Sequence, residues 1–572
     1  MKSNRTARVL IVASAAISLI FTACTPSDTG GTQPSPSQGE KPVAGGRVIE
    51  GSSADIKTMN PVLVNDSPSS IVAGLMYESF VQQDPKTGEP LPRMATWTQS
   101  TDGKTYTFTI DPKANWTDGK PVIGDDYLTG MLAVCHSKKT PRKANFADVE
   151  GFKDCSDGKA TTISGVKVDT ANPKKVSVTL TKVSCPALLD ISNYYVLPTQ
   201  TFGKYVTATS KDEIDSAPEN ANPQVTNGPF KFKEWRAGDQ VTLTRNDTFY
   251  RGAPLLDEYV FKVVADQTIL AQQLKTGELT FANILPKDLA DIERQDNLKV
   301  TKYISPGYTY IGWRQQSPTA PFLSDKRIRQ ALAYGLNTDD VIKSVLFGEG
   351  FKQVQHFLSV SWAYPQTGMN QYAYDPAKAE SLIKDAGYTK GTDGIYAKDG
   401  KRISFTMVTN ADNPSRVALI QVAAEQYKKI GVEAKPKTEA FQGIVDKLVT
   451  ANPEIEAVSI GWTGLAGDPD PYGIWHSDQI PGPGKQTFGF TLFKSDALDQ
   501  AIIDGRNPTN GDCSIASRKK AYDTVAKILN EEQPYNFGFG ANTLATTDKS
   551  IQKFAPTTYT VRYNVNEWWI KK

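Results

Sequence analysis

The stretch Tyr106–Asp126 reads Y-T-F-T-I-D-P-K-A-N-W-T-D-G-K-P-V-I-G-D-D. Tyr106, Phe108 and Ile110 alternate with Thr107 and Thr109, the period of a half-buried strand. Trp116 is followed by Asp118-Gly119-Lys120-Pro121, the composition of a tight turn. Asp125-Asp126 then precede the apolar run Tyr127–Val134, as residues capping a helix would. The segment predicts strand, turn and helix, and the rest of the chain is read outward from it.

At 572 residues the chain has room for two or three domains. Its formal net charge of +2 gives no electrostatic footprint for nucleic acid. Aromatic residues make up 10%, nine of them Trp, which serves an aromatic-lined pocket as well as an ordinary core.

Lys2, Arg5 and Arg8 precede the apolar run Val9–Ala23, too short for a comfortable membrane span. The run ends in Phe21-Thr22-Ala23-Cys24. This predicts a signal peptide over 1–24 and export from the cytoplasm. Residues 25–45 are rich in Ser, Thr, Pro and Gly and read as a flexible tether. Beyond Cys24 the cysteines are Cys135, Cys155, Cys185 and Cys513. An even number in an exported chain suggests disulfides, with three connectivities open. Cys135 with Cys155 is the first choice because the intervening loop is short. Cys185 with Cys513 would join distant parts of the chain and restrain their motion.

Further motifs lie on either side in a fixed order. Lys57-Thr58-Met59-Asn60-Pro61 turns the chain after a first strand, and Tyr77-Glu78 closes a helical run. Pro92–Trp97 reads P-R-M-A-T-W. Thr226-Asn227-Gly228-Pro229-Phe230 is followed by Trp235, Arg245-Asn246-Asp247 and Phe249-Tyr250. Pro321-Phe322, Asp325, Arg327, Arg329-Gln330-Ala331 and Tyr334 form one helical signature. Gly461-Trp462-Thr463-Gly464-Leu465-Ala466-Gly467-Asp468-Pro469-Asp470-Pro471-Tyr472 follows an apolar strand. Together with the opening stretch, these motifs resemble the family 5 solute-binding proteins of bacterial ABC importers, the dipeptide and oligopeptide receptors, over about residues 46–570.

The resemblance implies an α/β fold of the two-lobed, periplasmic-binding-protein-like kind (cluster C type) with an extra subdomain in the first lobe. Residues 46–85, 215–304 and 541–572 would form lobe I, residues 86–214 its inserted subdomain, and residues 305–540 lobe II. Pro306-Gly307 suits the hinge between them. Separately, Phe21-Thr22-Ala23-Cys24 resembles a lipobox, which implies lipidation of Cys24 and anchoring to the extracytoplasmic face of the cell membrane; a plain signal peptide or membrane anchor is the alternative.

The implied role is capture of short peptides in an interlobe cleft and delivery to the permease subunits of an ABC importer. The same role for a metal chelate, opine or oligosaccharide is the alternative. A monomer is expected, with no cofactor, metal, nucleic acid or catalytic residue. Candidate ligand contacts are Asn65 and Ser67 in an early loop, Trp313, Arg416 at a helix start, Gly461, Trp462, Thr463 and Asp468. Relatives place an Asp where Leu465 stands, so Asp468 is the candidate for holding a ligand amine. Arg416 is the candidate for an anion and Trp462 for a cleft wall.

Enzyme signatures are missing. His136, His356 and His476 are the only histidines, none in H-E-x-x-H. There is no G-x-S-x-G, and Gly103-Lys104-Thr105 lacks the upstream Gly of a phosphate-binding loop. A secreted hydrolase using a carboxylate pair is the remote alternative.

Overall fold

The computed structural model describes residues 41–572 except Tyr194, Tyr195, Lys211, Ala466, Pro483, Gly484 and Gln486. The leader, Cys24 and all but the last residues of the tether lie outside the described residues. No helix among those described is long and apolar enough to cross a membrane.

The opening stretch is built as its pattern predicts. In chain order, the first elements are β1 (Arg47–Ser52), α1 (Ser67–Met76), β2 (Ala95–Gln99), β3 (Thr105–Ile110) and α2 (Gly124–His136). Tyr106, Phe108 and Ile110 of β3 are buried while Thr109 is exposed. The turn closes with the Trp116 amide donating to the Lys120 carbonyl at 2.8 Å, and Gly119 takes a φ of +85° there. Asp126 ties turn to helix. Its buried carboxylate accepts from the Trp116 indole at 2.8 Å, the Ile123 amide at 2.9 Å and the Thr199 amide at 2.9 Å. Of the two acids expected to cap this helix, Asp126 does so from inside the first turn.

β4 (Val166–Val168) and β5 (Lys175–Thr179) complete a four-stranded antiparallel sheet in the order β2-β3-β5-β4. This insert shares its apolar core with the neighbouring sheet. Phe108, Tyr127 and Val176 pack in one continuous cluster with Val48, Tyr259 and Trp568. Shared burial of this kind makes the insert part of the first lobe rather than a body with its own core.

The chain returns through β6 (Phe230–Arg236), β7 (Gln240–Arg245), β8 (Glu258–Val263), β9 (Phe281–Asn283) and β10 (Leu298–Ile304). It then enters the second half through β11 (Tyr308–Trp313), α3 (Lys326–Tyr334) and α4 (Pro376–Asp385). Next come β12 (Ser404–Asn410), α5 (Pro414–Lys429), β13 (Glu433–Glu439), β14 (Ala457–Trp462), α6 (Asp496–Arg506) and α7 (Ile515–Glu532). β15 (Tyr535–Asp548) closes the circuit. The helices of the second half start where the sequence marks them: Asp375 and Asn413 cap α4 and α5, each with Pro in the first turn.

The long sheet runs β13-β12-β14-β11-β15-β9-β1-β8-β7-β6, with β10 also on β15. β15 belongs to both halves. Its first part pairs with β11, Gly312 opposite Tyr535, and its second part with β10, Ile304 opposite Asn542. The break between β10 and β11 falls at Ser305-Pro306-Gly307, where the Ser305 amide donates to the Ala541 carbonyl at 2.9 Å. The two crossings between lobes are therefore adjacent and hydrogen-bonded, the arrangement of a hinge that few residues must absorb. A Cβ on Gly307 would lie 1.8 Å from the Trp462 carbonyl oxygen, so only glycine fits this crossing.

The second lobe buries both faces of its sheet. Along β11 the side chains alternate: Ile311 and Trp313 enter the cluster with Leu332, Phe405 and Tyr427, while Tyr308 and Tyr310 enter the cluster with Tyr522, Leu529 and Tyr535.

Candidate functional site

β12 and β14 are parallel neighbours, and α5 begins just beyond the C-terminal end of β12. Ligands in open α/β sheets lie outside the carboxyl ends of such strands. Arg416 is in the first turn of α5, its amide held at 3.0 Å by the capping Asn413 carboxamide oxygen. Its side chain crosses to donate to the Asn410 side chain at 3.0 Å, at the end of β12. It lies against Gly461 of β14, where a Cβ would come 2.7 Å from the guanidinium. Gly461 thus makes room for Arg416. Among the described residues Arg416 forms no salt bridge, and its buried Nε has no hydrogen-bond partner. Burial pushes its pKa down, and the nearby Tyr310 and Asp412 oppose the shift, so the site holds a desolvated guanidinium with Asp412 close by but no carboxylate in contact among the described residues.

Trp462 ends β14, half-buried. It lies between Phe490, with ring centres 5.3 Å apart and planes 17° off parallel, and Tyr310 at 6.0 Å and 21°. Its indole N–H donates to the Tyr535 hydroxyl at 3.3 Å. Thr463 and Gly464 follow, exposed. Arg416, Gly461, Trp462 and Thr463 are brought together on one rim of the second lobe.

The other candidates are placed differently. Trp313 is fully buried, with Phe405 edge-on at 5.9 Å and Tyr427 at 6.4 Å. The strand alternation turns it into the core, away from any solvent-facing rim, so here it serves packing. Asn65 and Ser67 are exposed on the first lobe. Between them Asp66 caps α1, accepting the Ser69 amide at 2.8 Å. The Arg142 guanidinium braces this loop by donating to the Val64 carbonyl at 3.1 Å.

Asp468 is committed elsewhere. Both its oxygens accept from Arg518, at 2.6 Å each. Burial alone would lower the Arg518 pKa, but this pair raises it above the ordinary arginine value. Asp470 pairs through one oxygen with Arg506. Sequence reasoning missed these arginines, which follow in α6 and α7. Asp468 and Asp470 line a cavity of about 100 Å³ together with His356, Ser361, Gly464 and Leu465. That is smaller than the roughly 300–1,000 Å³ of a site for a drug-sized ligand, and its lining comes from the second lobe alone. His356, buried and bonded at 3.0 Å to the Tyr308 hydroxyl, has its pKa pushed down to about 3 and is neutral.

The lobes touch in several places. The Tyr559 hydroxyl donates to the Val360 carbonyl at 3.1 Å, and Lys57 reaches Gln442. Cys135 is bonded to Cys155 within the insert, and Cys185 to Cys513 between the insert and the second lobe. The cluster Cys135, His136 and Cys155 has the compactness of a metal site, but the disulfide uses both thiols, so these residues do not fit a metal.

The family description "bacterial extracellular solute-binding proteins, family 5 middle" matches residues 89–480, more than half of the chain. The chain belongs to family 5 of the bacterial extracellular solute-binding proteins. Proteins of this family are binding components of transport and not enzymes, so the hydrolase alternative falls.

The chain is 27% identical over 579 residues to the oligopeptide-binding protein AppA of Bacillus subtilis (strain 168), covering 100% of both. It is 25% identical over 407 residues to the dipeptide-binding protein of Escherichia coli (strain K12), covering 69% of this chain and 71% of that one. The structure of Bacillus subtilis AppA in complex with a nonapeptide superimposes with a TM-score of 0.80 at 26% identity, covering 93% of this chain and 100% of that one. NikZ from Campylobacter jejuni in complex with Ni(L-His) superimposes with a TM-score of 0.77 at 25% identity, covering 91% and 99%. The two-lobed α/β fold expected from the sequence is that of this family.

Proposed function

We propose that the protein captures short peptides between its lobes and delivers them to the permease of an ABC importer, tethered to the outer face of the membrane through lipidated Cys24. The observation that carries the reading is Arg416, a buried guanidinium with no salt bridge among the described residues and an unpartnered Nε, beside the Trp462 wall at the carboxyl ends of β12 and β14. A carboxylate arriving there gains a charge-assisted hydrogen bond that strengthens as the cleft excludes water. Exposed Thr463 offers backbone groups that fix a peptide without reading its side chains. The peptide-binding relatives support the class.

Asp468 takes a different part from the one its motif suggests. With both oxygens on Arg518, we infer that it supports the loop rather than holding a ligand amine. This commitment favours a second reading in the same role: a solute bound through its anionic end without a free amine, as a metal chelate would be. The Ni(L-His) complex of NikZ is the relevant precedent.

Mass spectrometry of solute carried through native purification separates the two. A thermal-shift screen of di- to pentapeptides follows, with a rise in melting temperature expected on binding. No shift at millimolar peptide, with the protein reduced as well as oxidised, would overturn the peptide reading.

A further inference from the structure

The Cys185–Cys513 bond joins residues 328 apart in sequence, with Cα atoms 5.3 Å apart. Its two ends belong to different lobes. Cys185 precedes Ala187, which packs in the core of the first lobe and insert, while Cys513 lies between α6 and α7 of the second. The bond does not stand alone. The Cys185 amide donates to the Arg506 carbonyl at 2.9 Å, and the Asn507 side chain to the Val183 carbonyl at 2.9 Å. The Arg506 guanidinium reaches Asp190 at 3.6 Å and Asp148 at 3.9 Å, both on the insert, while it also holds Asp470 of its own lobe.

Two adjacent crossings, at Ser305–Gly307 and Ala541, define a line about which the lobes rotate. The disulfide is a third connection, made between the loop that follows β5 in the insert and the loop between α6 and α7. A covalent tie between the lobes outside the crossing segments restrains the rotation that the two strands allow. We propose that the Cys185–Cys513 disulfide is a redox latch: oxidised, it holds the lobes together; reduced, it frees them to open and exchange solute.

Opening needs an extracytoplasmic dithiol as co-reactant. A thiolate of the dithiol attacks one sulfur, and its second thiol resolves the mixed disulfide. The Cys185–Cys513 bond breaks, each cysteine ends as a thiol with one added electron and proton, and the dithiol leaves as its own disulfide. Cys513 is exposed and Cys185 half-buried, so the attacking thiolate has a path to Cys513. The inference rests on the two-lobed fold and not on the class of solute.

Small-angle scattering of the solute-free protein tests it. Cys135→Ser/Cys155→Ser removes the other bond and leaves the latch as the single disulfide. Its radius of gyration is expected to rise when dithiothreitol is added and to return on reoxidation. Cys185→Ser/Cys513→Ser is expected to scatter as the open form with or without dithiothreitol. Superimposable curves for the oxidised and reduced latch would overturn the proposal, as would a rise caused by reducing Cys135–Cys155 alone. If either double variant unfolds, wild-type protein titrated with dithiothreitol and quantified by thiol count supplies the same comparison. Opening must then track the appearance of the Cys513 thiol; opening at any other stage overturns the latch.

Discussion

Asp468 and Arg518 face each other through two parallel hydrogen bonds of 2.6 Å, linking the loop after β14 to α7. The Arg518 guanidinium also donates to the Gly505 carbonyl at 2.9 Å and the Tyr522 hydroxyl at 3.1 Å. Asp468→Ala leaves this buried cation without its partner. Unfolding free energy of the solute-free protein is expected to fall by about 3 kcal/mol, read by urea titration. An unchanged midpoint would return Asp468 to the candidates for ligand contact.

Arg416 gives the opposite signature. It pairs with no carboxylate among the described residues, so Arg416→Met removes a desolvated charge and is expected to leave the urea midpoint within about 0.5 kcal/mol or raise it. Affinity for the solute identified by mass spectrometry is expected to drop on the order of tenfold to a hundredfold, the worth of one hydrogen bond to a charged group. Urea titration checks the first half of this expectation and calorimetric titration the second.

Gly307 tests the crossing itself. Because a Cβ there meets the Trp462 carbonyl at 1.8 Å, Gly307→Ala has to move backbone on one side or the other. A loss of about 1–3 kcal/mol is expected, with altered Trp462 fluorescence. On Gly461 a Cβ meets the flexible end of Arg416 at 2.7 Å and the Tyr308 carbonyl only at 3.1 Å, so Gly461→Ala is expected to cost less stability while displacing the guanidinium.

Asp190 carries a pH dependence. Burial pushes its pKa from 3.8 up to about 7; Arg506 opposes the shift, Asp470 and Asp468 add to it, and an Asn145 hydrogen bond opposes it. The folded protein therefore keeps a proton that the unfolded chain has released between about pH 4 and 7. Stability from this group is greatest at the acid end and falls as pH rises through that window. Asp190→Asn is expected to flatten the profile of unfolding free energy against pH relative to wild type. Parallel profiles for the two proteins would refute the assignment.

Much of the architecture was open to reading because it is local. The alternation of Tyr106, Phe108 and Ile110, the caps Asp375 and Asn413 and the turn at Asp118-Gly119 each act within a few residues. The site was less legible because its chemistry depends on distant partners. Nothing near Asp468 announces that Arg518 will consume it, and Asp190 meets Arg506 only after the lobes come together. Trp313 illustrates a second limit. Both faces of β11 are packed; one step along the strand decides which core a side chain enters, and Trp313 enters the one with Phe405 and Tyr427.

β15 is spliced into both halves of the molecule, giving its first residues to β11 and its last to β10. Neither half can be excised as a clean gene segment: a cut anywhere in Tyr535–Asp548 leaves one fragment with an unpaired strand edge. Chimaeras that exchange binding specificity between homologues must carry this ribbon whole and bring its pairing strands with it.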